Sequence, residues 1–446
     1  MQTIHLTWNK LSYNNNRLQY VVAFLDAHPL KPKAVRVVSN LALPKLESIY
    51  YGEDSNATIP AHNMFFNEAI AHPPNYQSKS FDYKGHKLFG VVKNSSTESI
   101  FYQDGKFAFD ILETIFFHIA RYEEYYAAEE DNGYTNCLEE TKQFLVKHEL
   151  YNFPVVDHIV KAFFECILQI EINRKTSYSI SHDIDLLWRF KPSYKIVRNV
   201  LADIYHRRGM GKIKRGISYF RKMKKEKLKD PYDVFHFLFR SEPLWTSKVL
   251  YLMSGGETKF DNKYSIDDPK IAEIIVEARK NGYQIGLHPS YNCLDKPGLY
   301  AEEKIRLEGI TSDAVYNNRQ HVLRWNWKIT PHILSDYNIQ TDSTMGYTRR
   351  LGFRSGTGFP YKLYNYRDET SFDWIELPMS FMESSAIHYA SANNTSISKV
   401  FSAFLEQNKF NTHIEMNVHN SNFDPTLLYG EEMTHFYTNT LKEIIG

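Results

Sequence analysis

Residues 177–188, Ser-Tyr-Ser-Ile-Ser-His-Asp-Ile-Asp-Leu-Leu-Trp, constrain this chain more than any other stretch. The alternation is that of a β-strand. Tyr178, Ile180, His182 and Ile184 fall on one face, and Ser179, Ser181, Asp183 and Asp185 on the other. Two carboxylates therefore project side by side from the polar face of an otherwise hydrophobic strand. Like charges this close repel, and burial raises the cost. A bound cation, or a proton held on one acid, relieves the conflict. A solvated strand end is the plain alternative.

Two later segments supply partners for those acids. Residues 284–292 read Gln-Ile-Gly-Leu-His-Pro-Ser-Tyr-Asn, and residues 412–420 read Thr-His-Ile-Glu-Met-Asn-Val-His-Asn. Both look like strands that end in a histidine. In the second, His413, Glu415, Asn417 and His419 share one face, and Ile414, Met416 and Val418 the other. Separate strands thus deliver metal-capable or proton-transferring groups at their C-terminal ends, where a β/α barrel carries its chemistry.

On these residues the chain resembles the polysaccharide deacetylases of carbohydrate esterase family 4, with their nodulation-factor deacetylase-like domain. It is most similar to a bacterial subgroup with an extra N-terminal domain. The first motif is His182-Asp183-Ile184-Asp185, the second His288-Pro-Ser-Tyr-Asn292, the third Gly352-Phe-Arg354-Ser-Gly-Thr, and the last Val418-His419. The resemblance implies an α/β fold with an irregular (β/α)7 barrel. It also implies metal-dependent hydrolysis of the acetamide of an N-acetylhexosamine, in a bacterial polysaccharide or its precursor. By the same resemblance Asp183 is the catalytic base, and Asp185 and His288 bind a divalent metal ion, zinc. Arg354 orients the base. His419 is the general acid, with an acid such as Asp373 or Glu383 as its partner.

Two departures matter. The family's second metal histidine falls at Asn292, whose amide oxygen is a weaker ligand than imidazole for zinc-like ions. His321, in Arg319-Gln-His-Val-Leu, is the candidate substitute; a hydrogen-bonded strand histidine is the plain alternative. An inserted Gly356-Thr357-Gly358 also disturbs the region before Phe359-Pro360-Tyr361, where a backbone group would help to hold the oxyanion. Rival readings follow: a weak or inactive barrel kept for glycan binding or assembly, and an amidohydrolase for a small molecule.

The organisation reads as two units. Residues 1–172 are expected to form a mixed α/β domain of unknown role. It has a helix over 17–30 and short strands over 34–39, 48–51 and 87–92. A further helix starts at the N-cap Asp110, with Glu113 as its capping-box partner. Arg121-Tyr-Glu-Glu-Tyr-Tyr126 ends that helix and resembles the N-terminal domain of the deacetylase subgroup; a solvated helix end with ion pairs is the plain reading. Asp131-Asn-Gly is a turn, and a second helix over 156–167 leads onward. Residues 173–446 are expected to form the barrel of about seven strands, the first within 177–188 and others over 249–253, 284–288, 320–324, 339–344, 351–354, 375–381 and 413–419. A helix over 431–445 ends the chain.

Within the barrel, a basic helical insertion occupies about 189–245. Residues 189–229 hold 15 Lys or Arg against Asp203 and Glu226, a local charge of about +13 in a chain of formal charge +1. Val197, Val200, Leu201, Ile204 and Tyr205 form one amphipathic stripe, and Ile213, Ile217 and Phe220 another. Asp230-Pro231 is expected to cap a new helix. The segment suits an anionic surface, such as a charged glycan or a membrane; a solvated basic face is the alternative. A near-neutral total argues against a global polyanion partner, and no nucleic acid is expected. The three cysteines, Cys137, Cys166 and Cys293, argue against a disulfide framework or a zinc–thiolate site. No leader and no membrane-spanning run of about 18 apolar residues is visible. The expected location is the cytoplasm, with peripheral contact at a membrane as an option.

Overall fold

Alternating apolar residues at the start of the chain give a small parallel sheet: β1 (Gln2–Trp8), β2 (Val35–Ser39), β3 (Ile49–Gly52) and β4 (Ile59–Pro60), in the order β2-β1-β3-β4. The helix Asn15–Ala27 connects β1 to β2 and buries Leu18, Val21, Val22 and Leu25. This computed structural model describes residues 2–9, 12–44, 48–67, 76–93, 100–127, 135–190, 210–241, 245–261, 264–393, 395–427 and 429–441. Two hairpins follow, β5 (Gln77–Tyr83) with β6 (His86–Val92), and β7 (Tyr102–Gln103) with β8 (Lys106–Phe107). Each turns on two left-handed residues, Lys84-Gly85 and Asp104-Gly105, as tight hairpins require.

The helix Ile111–Ile119 is buried on every side. Asp110 caps it, accepting from the Glu113 N–H at 2.9 Å. The reciprocal half of the expected capping box is absent. Glu113 instead accepts from the backbone N–H groups of Met64, Phe65 and Phe66, and so ties the loop after β4 to the helix. Burial and the neighbouring Asp110 push its carboxyl up to about 8. The expected helix over 156–167 is observed as Val155–Leu168.

The second half builds a nine-stranded sheet among the described residues. Its strands are β9 (Ser177–Ile184), β10 (Lys248–Leu252), β11 (Gln284–Leu287), β12 (Asn317–Asn318), β13 (Thr341–Asp342), β14 (Tyr361–Asn365), β15 (Thr370–Glu376), β16 (Met379–Met382) and β17 (His413–Asn417). The order is β14-β15-β13-β12-β11-β10-β9-β17-β16, and only the β14–β15 pair is antiparallel. Helices Pro269–Lys280, Pro297–Thr311, Thr330–Asp336 and Ile397–Gln407 make the crossovers that parallel pairing demands. β15 pairs with β13 near one edge, and β16 pairs with β17 at the other. Only Leu377 and Pro378 separate β15 from β16, so a short run of chain reaches both ends and the sheet curls upon itself.

Several expected strands take other forms. Residues 320–324 are not a strand: the pairing falls on Asn317–Asn318, and His321–Leu323 is a 3-10 turn. Residues 351–354 make no strand, and the hairpin β14–β15 follows instead. The expected strand 375–381 breaks at Pro378, which lacks a backbone donor. Asp230 does not start a helix at Pro231. Its carboxylate accepts from the N–H groups of Arg189, Phe190 and Tyr232, and the next helix is Phe235–Ser241. Of the basic insertion, the helix Met210–Glu226 is described. The stripe from Val197 to Tyr205, the Asp131-Asn-Gly turn and the chain beyond residue 441 lie outside the described residues.

The first unit packs tightly on the sheet. The Tyr20 hydroxyl donates to the Lys362 carbonyl at 2.7 Å. Asp157 accepts from the Gly358 N–H at 3.1 Å, from Thr412 Oγ1 at 2.6 Å and from Thr357 Oγ1. The inserted Gly-Thr-Gly is therefore anchored on the helix Val155–Leu168. A Cβ at Gly358 would lie 1.9 Å from the His413 carbonyl, so only glycine fits there.

Candidate active site

Asp185 directly follows β9, His288 follows β11, Arg319 follows β12 and Glu383 follows β16; His419 lies two residues beyond β17. All therefore project from the C-terminal ends of parallel strands, the end at which barrels carry reacting groups. The inward face of the sheet is polar. Ser179 and Ser181 are small, and the space they leave is filled by Arg319 and Glu415, all fully buried.

Arg319 uses all five of its N–H groups. Nη1 donates to Ser181 Oγ at 2.7 Å and to Asp183 Oδ1 at 2.9 Å. Nη2 donates to Ser343 Oγ at 2.8 Å and to Glu415 Oε1 at 3.1 Å, and Nε to the Ser343 carbonyl at 2.9 Å. Asn417 Nδ2 holds the other Asp183 oxygen at 2.7 Å. Burial opposes the charge on Asp183, but Arg319 prevails and holds its carboxyl below the usual range.

Arg354, expected to orient Asp183, is not there. It donates through Nε and Nη2 to Glu124, whose carboxylate also takes the guanidinium of Arg121. Arg121 in turn donates to the Arg354 carbonyl. Arg121 and Glu124 are 1 % and 3 % exposed, so Arg-Tyr-Glu-Glu is no solvated helix end. The third motif is locked to the N-terminal unit, and Arg319 takes the place beside Asp183. Its chemistry was visible beside His321 in the sequence; its partners, 136 and 96 residues away, were not.

Asp185, His288 and His321 come together, with one ligating atom from each within 4.8 Å of the others. His288 Nε2 lies 3.5 Å from Asp185 Oδ1, and His321 Nε2 lies 4.0 Å from it. Four ligands at zinc–nitrogen and zinc–oxygen bond lengths would stand about 3.3–3.4 Å apart in a tetrahedron. Asp185 Oδ1 is buried and makes no hydrogen bond. His288 Nδ1 sits 2.6 Å from the Arg319 carbonyl, which can only accept, so Nδ1 carries the proton and Nε2 is left as a donor atom for a metal. His321 Nδ1 lies 3.6 Å from Asp261, whose carboxylate accepts from the N–H groups of Tyr291 and Thr258. One carboxylate and two imidazoles fit a divalent ion of the zinc type. Asn292 starts the short turn Cys293–Asp295 and makes no hydrogen bond to this set.

His419 faces both acids, with Nε2 at 3.9 Å from Asp183 Oδ2 and 3.7 Å from Asp185 Oδ2. Its Nδ1 and its backbone N–H both contact Glu383 Oε1 at 2.8 Å. Burial works against the imidazolium, but Glu383 and the two aspartates raise it to about 10. Between the two acids that the sequence left open, the partner is Glu383. Asp373 is exposed and pairs with Lys362.

The N-terminal unit matches a family of unknown function (DUF7033) over residues 8–171. No curated protein matches the chain. Among solved structures, the chain is similar to a protein named as a polysaccharide deacetylase from Mycobacterium smegmatis, with 13% identity and a TM-score of 0.34, over 61% of this chain and 85% of that one. It is also similar to a mutant CE4 family pseudoenzyme with restored enzymatic activity, with 10% identity and a TM-score of 0.27, over 61% of this chain and 66% of that one. Scores this low carry no weight for function, which rests on the residues of the site.

Proposed function

We propose that the chain is a metal-dependent amide hydrolase that removes the acetyl group from an N-acetylated hexosamine in a bacterial polysaccharide or its precursor. The single observation that supports this best is the meeting of Asp183, Asp185, His288, His321 and His419 at one end of the sheet. Asp185, His288 and His321 would hold the divalent ion. Such an ion, when bound, polarises the acetyl carbonyl and makes water more acidic. Asp183 is ionised and fixed by Arg319 and Asn417, so it is poised to take a proton from the attacking water. His419 is protonated and held by Glu383, so it can deliver a proton to the departing amine nitrogen. The N-acetylated glycan as substrate comes from the motif resemblance. The exposed cations of the helix Met210–Glu226 are proposed to meet an anionic surface of that glycan or of a membrane. No described helix is long and apolar enough to cross a membrane.

Acetate release from a panel of N-acetylated glycans, with the chain stripped of metal and then given zinc, tests this reading. Release that requires both added metal and Asp183 is the expected result. Zinc binding without release from any glycan would favour a glycan-binding role instead.

A further inference from the structure

We infer that the N-terminal unit acts as part of the metal centre, by holding the turn that carries His321 through residues Thr135 and Asn136. The inference rests on reading Asp185, His288 and His321 as one ligand set. His321 opens a turn whose next two residues are both left-handed, Val322 at φ 58° and Leu323 at φ 53°. A β-branched residue rarely adopts this conformation, and such backbone persists only where its surroundings over-determine it.

The surroundings on one side are Arg319, locked by five hydrogen bonds. On the other side they come from the first unit. The Trp325 N–H donates to the Thr135 carbonyl at 2.9 Å, and Asn136 Nδ2 donates to the Trp325 carbonyl at 3.0 Å. Both backbone groups of Trp325 are thus held by chain some 190 residues earlier, and its ring is fully buried. His321 lies between these two fixed points, with its own N–H on the Pro289 carbonyl at a long 3.4 Å and the Gln320 N–H on Thr344 Oγ1 at 3.0 Å. Release at Trp325 lets Val322 and Leu323 relax to ordinary backbone, and the imidazole moves with them. The Asp261 contact at 3.6 Å is too long to hold the ring alone.

Asn136 is itself left-handed, at φ 59°. Glycine takes that conformation freely, so Asn136→Gly removes the amide and keeps the backbone. The test is zinc affinity by chelator competition on the full chain, together with the visible absorption of the cobalt-substituted protein. Asn136→Gly is expected to weaken zinc binding about tenfold and to alter the cobalt spectrum, as loss of a group supporting a ligand does. In a His321→Ala background the same substitution is expected to change neither. Unchanged affinity, or an equal loss with and without His321, would overturn the inference. If the glycine variant fails to fold, Asn136→Asp repeats the test with the volume kept and the donor replaced by an acceptor. Zinc binding that needs His321 but ignores Asn136 would overturn this inference alone. Absence of zinc binding in the unmodified chain would overturn it together with the metal reading.

Discussion

Glu124→Gln removes the buried charge that joins the first unit to the third motif. Glu124 is buried between the guanidinium groups of Arg354 and Arg121. Burial alone would raise its carboxyl, but the two arginines hold it at about 2, against an ordinary 4.5. That difference corresponds to about 3 kcal/mol of stability at pH 7. Loss of one partner from a buried pair costs a similar amount, about 3–5 kcal/mol, because the remaining charge is left uncompensated. The folded value lies below the unfolded one, so this stability is fully present above about pH 4.5 and is lost as pH falls towards about 2. The gap between the parent chain and Glu124→Gln is therefore expected to shrink to roughly half by pH 3. Urea unfolding followed by tryptophan fluorescence at pH 7, 4 and 3 measures it. A loss under about 1 kcal/mol at pH 7, or a gap that does not shrink on acidification, would refute the reasoning.

Asp183→Asn is expected to cut acetate release by roughly 10²–10⁴ while zinc affinity, measured by titration calorimetry, stays close to that of the parent; equal loss of zinc binding in Asp183→Asn and Asp185→Asn would show that the two roles are misassigned. Glu383→Gln removes the carboxylate that keeps His419 protonated up to about 10. The alkaline limb of the kcat/KM profile should then move to lower pH, and an unmoved limb would remove His419 as the acid. Charge reversal at Lys222, Lys224 and Lys225, all exposed on the helix Met210–Glu226, should leave the melting temperature nearly unchanged and weaken binding to anionic vesicles or acidic glycans. An effect on neither ligand would return this face to plain solvation.

Local pattern made much of the site legible. The two-residue alternation read in 177–188 and 412–420 placed Asp183, Asn417 and Glu415 on polar faces, and those faces meet inside the sheet. His321 was named as a substitute ligand on residue type and strand position. It lies beside Asp185 and His288, on a strained turn and not on a strand. What stayed hidden depends on long-range pairing. Arg354 carried an assigned role because its motif resembles one in a family, but its partner Glu124 lies 230 residues earlier, in a unit without that resemblance to the barrel. Arg319 could not be singled out because its partners Asp183, Glu415 and Ser343 come from β9, β17 and the residue after β13. Glu383 and Asp373 were equal by spacing, and the parallel pairing of β16 with β17 is what brings Glu383 to His419.

Anomalous diffraction at the zinc edge, from crystals of the full chain grown with zinc, tests the central claim most directly. The account predicts one strong peak within bonding distance, about 2.0–2.2 Å, of a carboxylate oxygen of Asp185, Nε2 of His288 and Nε2 of His321. A peak coordinated by Asn292 in place of His321, or no peak at these residues, would contradict it.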